Sequence, residues 1–188
     1  MRPVHNHEFW MAHALQLAQR GLYSTHPNPR VGCVIVRDGH AIADGFHATA
    51  GGPHAEVNAL NQLNGDASGA TIYVTLEPCS HTGRTPPCVD ALIEARPDKV
   101  VIAMQDPNPL VSGRGIDRLM QHGIEVIVGV LAAQATELNA GFVKRMQQNL
   151  PWVRLKMAMS LDGRTALSNG LSQWISGPEA RQDVQFLR

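Results

Sequence analysis

The 188-residue sequence predicts an α/β protein, a three-layer α/β/α sandwich built on a mixed sheet. Short and almost continuous apolar stretches alternate with helical patterns, which is typical of a sheet covered on both faces. An Asp-Gly pair at 38–39 lies between two apolar stretches and predicts a hairpin, so one edge of the sheet should be antiparallel. The length and the 44% apolar composition suit one well-packed domain with a short appended piece.

The elements follow in chain order from periodicity and from turn residues. Apolar residues at helical spacing over 7–20 predict a first helix that ends at Gly21. The hairpin pairs a strand over 31–36 with a strand over 41–46. The remaining expected elements are a helix over 54–63, a strand over 71–76, a helix over 86–95, a strand over 99–104, a short helix over 114–122, a strand over 124–129 and a longer helix over 131–148.

The character of the sequence changes after Asn149. Pro151 breaks the helix, and the next sixteen or so residues look like a hairpin that turns at Asp162-Gly163. The run S-G-P-E (176–179) then predicts the start of another helix. This tail is shorter than the ~50 residues of a typical independent domain. We therefore expect one domain over 1–149 and an incomplete second region over 150–188.

Charge and hydropathy exclude several classes of partner. Sixteen basic residues balance sixteen acidic ones and no long basic run occurs, which favours a small substrate over a nucleic acid. No apolar run is long enough to span a membrane, and the N-terminal residues lack the apolar core of a signal peptide. We expect a cytoplasmic protein without a nucleic-acid or membrane partner, and we expect it to form a homo-oligomer.

The segment E-P-C-S-H-T-G-R-T-P-P-C (77–88) holds two of the three cysteines. A reducing compartment and an odd number of cysteines disfavour a disulfide. Upstream, P-H-A-E (53–56) begins a predicted helix, so His54, Cys79 and Cys88 could supply the three protein ligands of a catalytic zinc. Glu56 lies two residues beyond the histidine and is close enough to reach a water on the metal. H-A-E followed by P-C and a second cysteine is typical of zinc-dependent nucleobase deaminases.

Each part of this pattern has a simpler interpretation when taken alone. A His-x-Glu pair at a helix start is usually a cap or a solvated face, and a pair of cysteines can belong to a core. Cys33, between apolar strand residues, is best interpreted as core. The order of the parts carries the zinc prediction. The spacing departs from the usual Cys-x-x-Cys, because eight residues separate Cys79 from Cys88.

Five motifs together resemble the bifunctional deaminase–reductase family of riboflavin biosynthesis. They are H-P-N-P-R-V-G-C-V-I-V (26–36), G-F-H (45–47), P-H-A-E (53–56), T-L-E-P-C-S-H-T-G-R-T-P-P-C (75–88) and Q-D-P-N-P (105–109). M-A-M-S-L-D-G-R-T-A (157–166) and W-I-S-G-P-E-A-R (174–181) resemble the opening of the reductase domain of that family. The resemblance covers essentially the whole chain. It implies a cytidine-deaminase-like sandwich followed by the first elements of a dihydrofolate-reductase-like domain.

The resemblance also implies a reaction. A zinc-dependent hydrolase would deaminate 2,5-diamino-6-(5-phosphoribosylamino)pyrimidin-4(3H)-one to 5-amino-6-(5-phosphoribosylamino)uracil, with one zinc ion in each deaminase domain. Glu56 would move the protons, since a carboxylate can face both the attacking water and the substrate. In the full enzyme, an NADPH-dependent reductase then opens the ribose. We do not expect the 188-residue chain alone to bind NADPH, because most of that domain would lie beyond residue 188.

Further residues correspond to substrate contacts of the family. Asn28 and His47 look like pyrimidine contacts, and Asp106 and Asn108 look like contacts to the ribose or the ring; each also fits ordinary turn chemistry. His81 and Arg84, in the loop between the cysteines, are candidates to meet the substrate phosphate, although an arginine in a loop is often simply solvated.

In the tail, the resemblance suggests that Ala158 and Trp174 contact NADPH, while Ser172 and Arg188 lie near the substrate of the reductase. Ala158 also fits a small strand residue, and Trp174 also fits a core position.

Two other functions remain open at this point. A deaminase acting on cytosine, guanine or a transfer-RNA adenosine shares the zinc ligands, but such an enzyme should carry Cys-x-x-Cys. A non-enzymatic zinc module would need a fourth protein ligand, for which His81 is the nearby candidate. Glu77 also has two interpretations. Its segment could bring a backbone carbonyl to the leaving amine, and its carboxylate could be a solvated surface charge.

Overall fold

The computed structural model describes residues 6–81, 86–109 and 111–186, and the chain divides into two compact units, Met1–Pro151 and Trp152–Arg188. The described strands of the first unit are β1 (Gly32–Arg37), β2 (His40–Phe46), β3 (Thr71–Val74), β4 (Lys99–Ile102) and β5 (Glu125–Val128). Its described helices are α1 (His7–Gln19), α2 (Ala55–Asn61), α3 (Cys88–Ala95), α4 (Arg114–Gln121), α5 (Ala132–Leu138) and α6 (Ala140–Gln148).

The five strands form one mixed sheet in the order β2-β1-β3-β4-β5. Strand β1 runs antiparallel to both of its neighbours, whereas β3, β4 and β5 are parallel to one another. The β1–β2 hairpin closes through Asp38 (φ 53°) and Gly39 (φ 74°), with Arg37 paired to His40. Positive φ at both central residues is what a two-residue hairpin turn requires, and Asp-Gly adopts it readily. The predicted hairpin and the mixed sheet are confirmed.

Helices cover both faces of the sheet. A Cβ atom added to Gly32 would lie 2.0 Å from the carbonyl oxygen of Ala14 in α1, and one added to Gly45 would lie 2.5 Å from that of Ala55 in α2. Gly45 pairs with Cys33, whose side chain points to the opposite face from its neighbour Gly32. Helices α1 and α2 therefore pack closely on opposite faces of the hairpin, and the three-layer sandwich is confirmed.

The predicted helix over 131–148 forms as two helices that meet at Asn139. Asn139 is only 1% exposed, and its Oδ1 accepts a hydrogen bond of 2.8 Å from the backbone N–H of Arg30. Its Nδ2 donates to the backbone carbonyl of Arg30 at 2.9 Å. The break follows from this contact, because asparagine favours helix ends and here its amide is committed to a distant backbone segment.

In the second unit, the described residues form one helix, α7 (Pro178–Phe186), which begins where S-G-P-E predicts it. The expected turn at Asp162-Gly163 is present, with Gly163 N–H bonded to Ser160 O and Ser160 N–H bonded to Arg164 O, both at 2.9 Å. No strand flanks this turn within the described residues of the unit. Within the described part of this unit the flanking apolar side chains have no sheet of their own to pack on, and a hairpin without such packing is marginal in water.

None of the helices in the described ranges has the length and apolar character needed to cross a bilayer.

Candidate active site and metal centre

Three side chains with metal-binding atoms converge at the N-terminal ends of two helices. His54 immediately precedes α2, Cys88 is the first residue of α3, and Cys79 lies in the segment that follows β3. Their ligand atoms all lie within 4.8 Å of one another, and His54 Nδ1 is 3.1 Å from Cys88 Sγ and 3.5 Å from Cys79 Sγ. The structure brings together all three residues for which the sequence predicts zinc binding.

The two thiols have very different acidities. The hydrogen bond from the Cys88 thiol, followed by the one from His54, lowers the pKa of Cys79 to about 4 despite the opposing effect of burial. The pKa of Cys88 is raised, first by its bond to Cys79 and then by burial. The backbone N–H of Cys88 also donates to Cys79 Sγ at 3.2 Å. This donor set suits zinc, because a divalent cation takes the place of the proton that the two sulfurs share.

Glu56 lies in the first turn of α2 and is 3% exposed. Burial raises its pKa to about 7. Among the described residues, its Oε2 is a buried atom without a hydrogen-bond partner. Leaving a carboxylate oxygen in that state costs free energy, so a partner is expected at this point in the working protein. A zinc site with three protein ligands keeps one position for water, and a water there would supply that partner.

Asn28 and His47 form one side of the adjoining cavity. The amide Nδ2 of Asn28 donates to His47 Nε2 at 3.1 Å, and His47 Nδ1 donates to the carbonyl of Pro53 at 3.1 Å. Desolvation lowers the pKa of His47, which keeps the ring neutral and preserves this pattern of one donor and one acceptor. The His47 ring also packs edge-on against that of His54, with centroids 5.3 Å apart. The predicted pyrimidine contacts therefore lie beside a predicted metal ligand.

Asp106 and Asn108 lie on the loop that follows β4. The carboxylate of Asp106 accepts the backbone N–H of Asn108 at 2.8 Å, and Asp106 is 9% exposed. Burial raises the pKa of Asp106. Both residues line the cavity that Asn28 and His47 also line, so the structure gathers the four predicted contacts to the base and ribose around one space.

Glu77 is buried, at 3% exposure, which corrects the interpretation of its carboxylate as a solvated surface charge. The carboxylate accepts hydrogen bonds from backbone N–H groups, with Oε2 bonded to Asp106 and Gly113 and Oε1 bonded to Gly115 and, at 3.4 Å, to Ile116. Backbone donors rather than solvent hold this charge, because the segment before Cys79 passes directly under the start of α4.

The cavity has a volume of about 540 Å³. Sequence reasoning missed the part of its lining that α6 supplies, namely Phe142, Arg145 and Met146. Arg145 also donates to the carbonyl of Pro27 at 3.1 Å, beside Asn28. The local pattern identifies a helix here but carries no signal that its side chains face a pocket.

The remaining predicted residues have different positions. His81 lines the cavity but is exposed and is not part of the His54, Cys79 and Cys88 group, so nothing in the described site supports it as a fourth ligand. Arg84 and Arg188 lie outside the described residues. In the second unit, Ser172 and Trp174 line a cavity of about 350 Å³, and Ala158 does not.

Comparisons with known proteins agree with the arrangement in the first unit. The family model for the cytidine and deoxycytidylate deaminase zinc-binding region matches residues 4–104, and the model for the RibD C-terminal domain matches residues 151–188. The chain is 60% identical over 181 residues to riboflavin biosynthesis protein RibD from Escherichia coli strain K12, which covers 96% of this chain and 49% of that protein.

Two solved structures are similar over almost the whole chain. RibD from Acinetobacter baumannii (form 1) has a TM-score of 0.90 at 58% identity, covering 97% of this chain and 51% of that one. The diaminohydroxyphosphoribosylaminopyrimidine deaminase/5-amino-6-(5-phosphoribosylamino)uracil reductase from Thermotoga maritima also has a TM-score of 0.90, at 46% identity, covering 97% of this chain and 52% of that one. The chain thus spans about half the length of the relatives it matches, and the resemblance found in its motifs is confirmed.

The deaminase match extends over more than half of the chain and includes His54, Glu56, Cys79 and Cys88. The chain belongs to the family defined by the cytidine and deoxycytidylate deaminase zinc-binding region.

Proposed function

We propose that this chain is a zinc-dependent hydrolase of riboflavin biosynthesis that deaminates 2,5-diamino-6-(5-phosphoribosylamino)pyrimidin-4(3H)-one to 5-amino-6-(5-phosphoribosylamino)uracil. One zinc ion is held by His54, Cys79 and Cys88, and Glu56 is the catalytic acid and base. The observation that carries the proposal is the buried Glu56 carboxylate, whose Oε2 has no protein partner within the described structure and which adjoins three metal ligands. A structural zinc site would have no use for such a group.

When bound, zinc would lower the pKa of a bound water to near 7 and so supply the nucleophile at neutral pH. Glu56 takes a proton as water adds to the ring carbon that carries the amine, and it passes that proton to the adjacent ring nitrogen. It then carries a second proton to the departing ammonia, which leaves a carbonyl at the ring carbon. A buried carboxylate suits both steps, because burial raises its pKa from the ordinary carboxyl range toward neutral pH, where a group can both take and return a proton.

The other residues of the cavity orient the base. The neutral His47 ring is bonded to the Asn28 amide and to the carbonyl of Pro53, so it fixes that amide at the edge of the space. Asp106 and Asn108 face the pyrimidine ring and the ribose from the loop after β4. His81 and Arg84 meet the phosphate, since they belong to the loop that also carries both cysteine ligands. The assignment of Arg84 and His81 rests on the sequence of that loop.

Two observations favour this substrate over cytosine, guanine or a transfer-RNA adenosine. Eight residues separate Cys79 from Cys88, whereas deaminases of the other kinds carry Cys-x-x-Cys. The similar protein from Thermotoga maritima is named as a diaminohydroxyphosphoribosylaminopyrimidine deaminase. A small phosphorylated pyrimidine is therefore the proposed partner, in a cytoplasmic homo-oligomer that binds neither nucleic acid nor membrane.

We propose that residues 1–149 form the deaminase domain and that residues 150–188 begin an NADPH-dependent reductase domain. The match of residues 151–188 to the RibD C-terminal domain supports this division. In a complete domain, Ala158 and Trp174 would contact NADPH, and Ser172 and Arg188 would lie near the substrate. The 188-residue chain alone should neither bind NADPH nor reduce the product.

The decisive experiment measures zinc content and ammonia release from the phosphoribosylaminopyrimidine. We expect about one zinc per chain and turnover of this substrate, with no turnover of cytidine, guanine or a transfer-RNA adenosine stem. Ammonia release from one of those three compounds but not from the phosphoribosylaminopyrimidine would replace the proposal with another deaminase. Zinc binding without any turnover would indicate a non-enzymatic module.

A further inference from the structure

Glu77 is a buried carboxylate that the reaction does not use. No lysine, arginine or histidine of the described chain forms an ion pair with it, and its two oxygens accept only backbone N–H groups. A buried charge is costly unless it is fully hydrogen-bonded, so this network of bonds is the condition for the residue to be present. A neutral side chain would avoid that cost, and the presence of a charge at this position therefore calls for an account.

The donors come from two places that the chain must hold together. One is the backbone N–H of Asp106, 3.1 Å from Oε2, on the loop that lines the cavity. The others belong to the start of α4, where Gly113 and Gly115 donate at 3.0 and 2.9 Å. The first N–H groups of a helix have no partner within the helix, and they carry partial positive charge that favours an anion. The Glu77 carboxylate thus bridges the two ends of the loop between β4 and α4, although Glu77 itself is not part of that loop.

The same residue belongs to the segment that carries a metal ligand. Its own N–H donates to the carbonyl of Met104 at 2.9 Å, and Cys79 follows two residues later. A Cβ atom on Gly115 would lie 2.2 Å from the carbonyl oxygen of Pro78, so the segment and the helix start are in close contact. Any displacement of Glu77 relative to this loop would therefore change the separation between Cys79 and Asp106.

We propose that Glu77 is a positioning residue that sets the substrate loop, residues 105–109 and 111–113, against the metal-binding segment, residues 77–79. Its consequence for catalysis rests on the proposed function, because Asp106 is a proposed contact to the substrate. Loss of the carboxylate should release the loop while the metal ligands remain assembled. Helices α2 and α3 position His54 and Cys88, and Cys79 stays bound to the start of α3 because its Sγ accepts the backbone N–H of Cys88. Substrate binding should then weaken more than the chemical step.

The test compares Glu77→Gln with Thr75→Val in the full 188-residue chain. The glutamine keeps the shape of the side chain but turns an amide NH₂ toward N–H donors. Thr75 is also fully buried, and its hydroxyl accepts the N–H of Gly32 at 3.1 Å, so Thr75→Val removes a buried bond to backbone outside the cavity lining. Amide hydrogen exchange of Asp106, Gly113 and Gly115 is measured together with zinc content, KM and kcat.

In Glu77→Gln, we expect faster exchange at those three amides, about one zinc per chain, and a KM for the phosphoribosylaminopyrimidine raised about tenfold or more, with kcat changed less. Thr75→Val should leave the three amides and KM as in the wild type. Glu77→Asp, which keeps the charge on a shorter side chain, should lie between Glu77→Gln and the wild type in both readouts. This variant decides the matter if Glu77→Gln does not fold.

The proposal would be overturned if Glu77→Gln had the same exchange rates at the three amides and the same KM as the wild type. If only Glu77→Asp folds, the same result in that variant would overturn it. Equal acceleration of the three amides in Thr75→Val would also overturn it, because Glu77 would then act only through global stability. If the wild-type protein releases no ammonia, the proposed function fails. The exchange measurement still decides whether Glu77 holds the loop.

Discussion

The cavity has two walls, a metal wall and a substrate wall. They differ in how far along the chain the residues that hold each wall in place lie from it. The metal wall consists of His54, Glu56, Cys79 and Cys88. All but Cys79 lie at the start of α2 or α3, and Cys79 is bound to the start of α3 because its Sγ accepts the backbone N–H of Cys88. The substrate wall consists of loop residues, namely Asn28, His47, Asp106 and Asn108. Helix starts orient most of the metal wall locally. Bonds from distant side chains hold the substrate wall, as when Asn139 binds the backbone of Arg30, 109 positions away.

This difference separates chemistry from placement. The residue types of the metal wall follow from what zinc and proton transfer require, so their identities and their order are visible in the sequence. The placement of the substrate wall depends on two buried polar side chains, Glu77 and Asn139, which occupy none of the proposed catalytic roles. Variants of the metal wall should therefore abolish turnover, whereas variants of the substrate wall and its supports should weaken binding.

The largest expected effect comes from replacing both Cys79 and Cys88 with serine. One protein ligand would remain, so zinc content should fall from about one per chain to near zero and ammonia release should be lost. Metal analysis and an ammonia assay measure this directly. Cys33→Ala is the matched control, because Cys33 is a buried cysteine outside the group and its loss should leave zinc in place. Full zinc occupancy in the double variant would refute the assignment of the ligands.

Glu56→Gln should keep zinc and lose turnover. The amide has almost the same shape as the carboxylate but cannot take and return protons, so kcat should fall by about 10²–10⁴-fold. Steady-state kinetics on samples matched for zinc content measure the loss. Normal turnover by a zinc-loaded variant would make Glu56 a structural residue and would remove the main argument for a catalytic metal wall.

The limits of prediction from the sequence follow the same division. The hairpin at Asp38-Gly39 and the order of strands and helices up to β5 depend on local periodicity and turn chemistry, and the structure confirms them. The burial of Glu77 was not predicted, because it depends on N–H groups that the fold brings from 29 to 39 positions away. The break at Asn139 was missed for the same reason, since its amide binds a segment near the other end of the domain.

Arg84→Ala tests the proposed phosphate contact, which rests on sequence alone. A charge-assisted hydrogen bond to phosphate contributes about 1.5–3 kcal/mol, so KM should rise roughly ten- to a hundredfold for the phosphorylated substrate and much less for its dephosphorylated analogue. Arg96→Ala is the control, because Arg96 is an exposed arginine outside the cavity lining. Equal changes in KM for the two compounds would show that Arg84 does not contact the phosphate.

Asn139→Ala should affect stability more than binding. The substitution removes two hydrogen bonds between the buried Asn139 side chain and the backbone of Arg30, which should lower the free energy of unfolding by about 1–3 kcal/mol. Because Asn28 lies two residues before Arg30, KM should also rise, by less than in Arg84→Ala. Urea denaturation and kinetics measure the two effects. Asn139→Asp keeps the acceptor and loses the donor. An unchanged free energy of unfolding in both variants would mean that the hydrogen bonds between Asn139 and Arg30 do not support the substrate wall.

The smallest effect is expected for the ion pair between Asp90 on α3 and Arg118 on α4. This pair also connects the two walls, because α3 begins at the metal ligand Cys88 and α4 begins where Glu77 binds. Its side chains are 42% and 37% exposed, so solvent screens the pair and its coupling should be about 0–1 kcal/mol. A double-mutant cycle with Asp90→Asn and Arg118→Met measures it, and zinc content and KM should not change. A coupling well above 1 kcal/mol, accompanied by a raised KM, would mean that the helices α3 and α4 hold the walls together from the surface. A small coupling leaves the buried carboxylate of Glu77 as the connection between them.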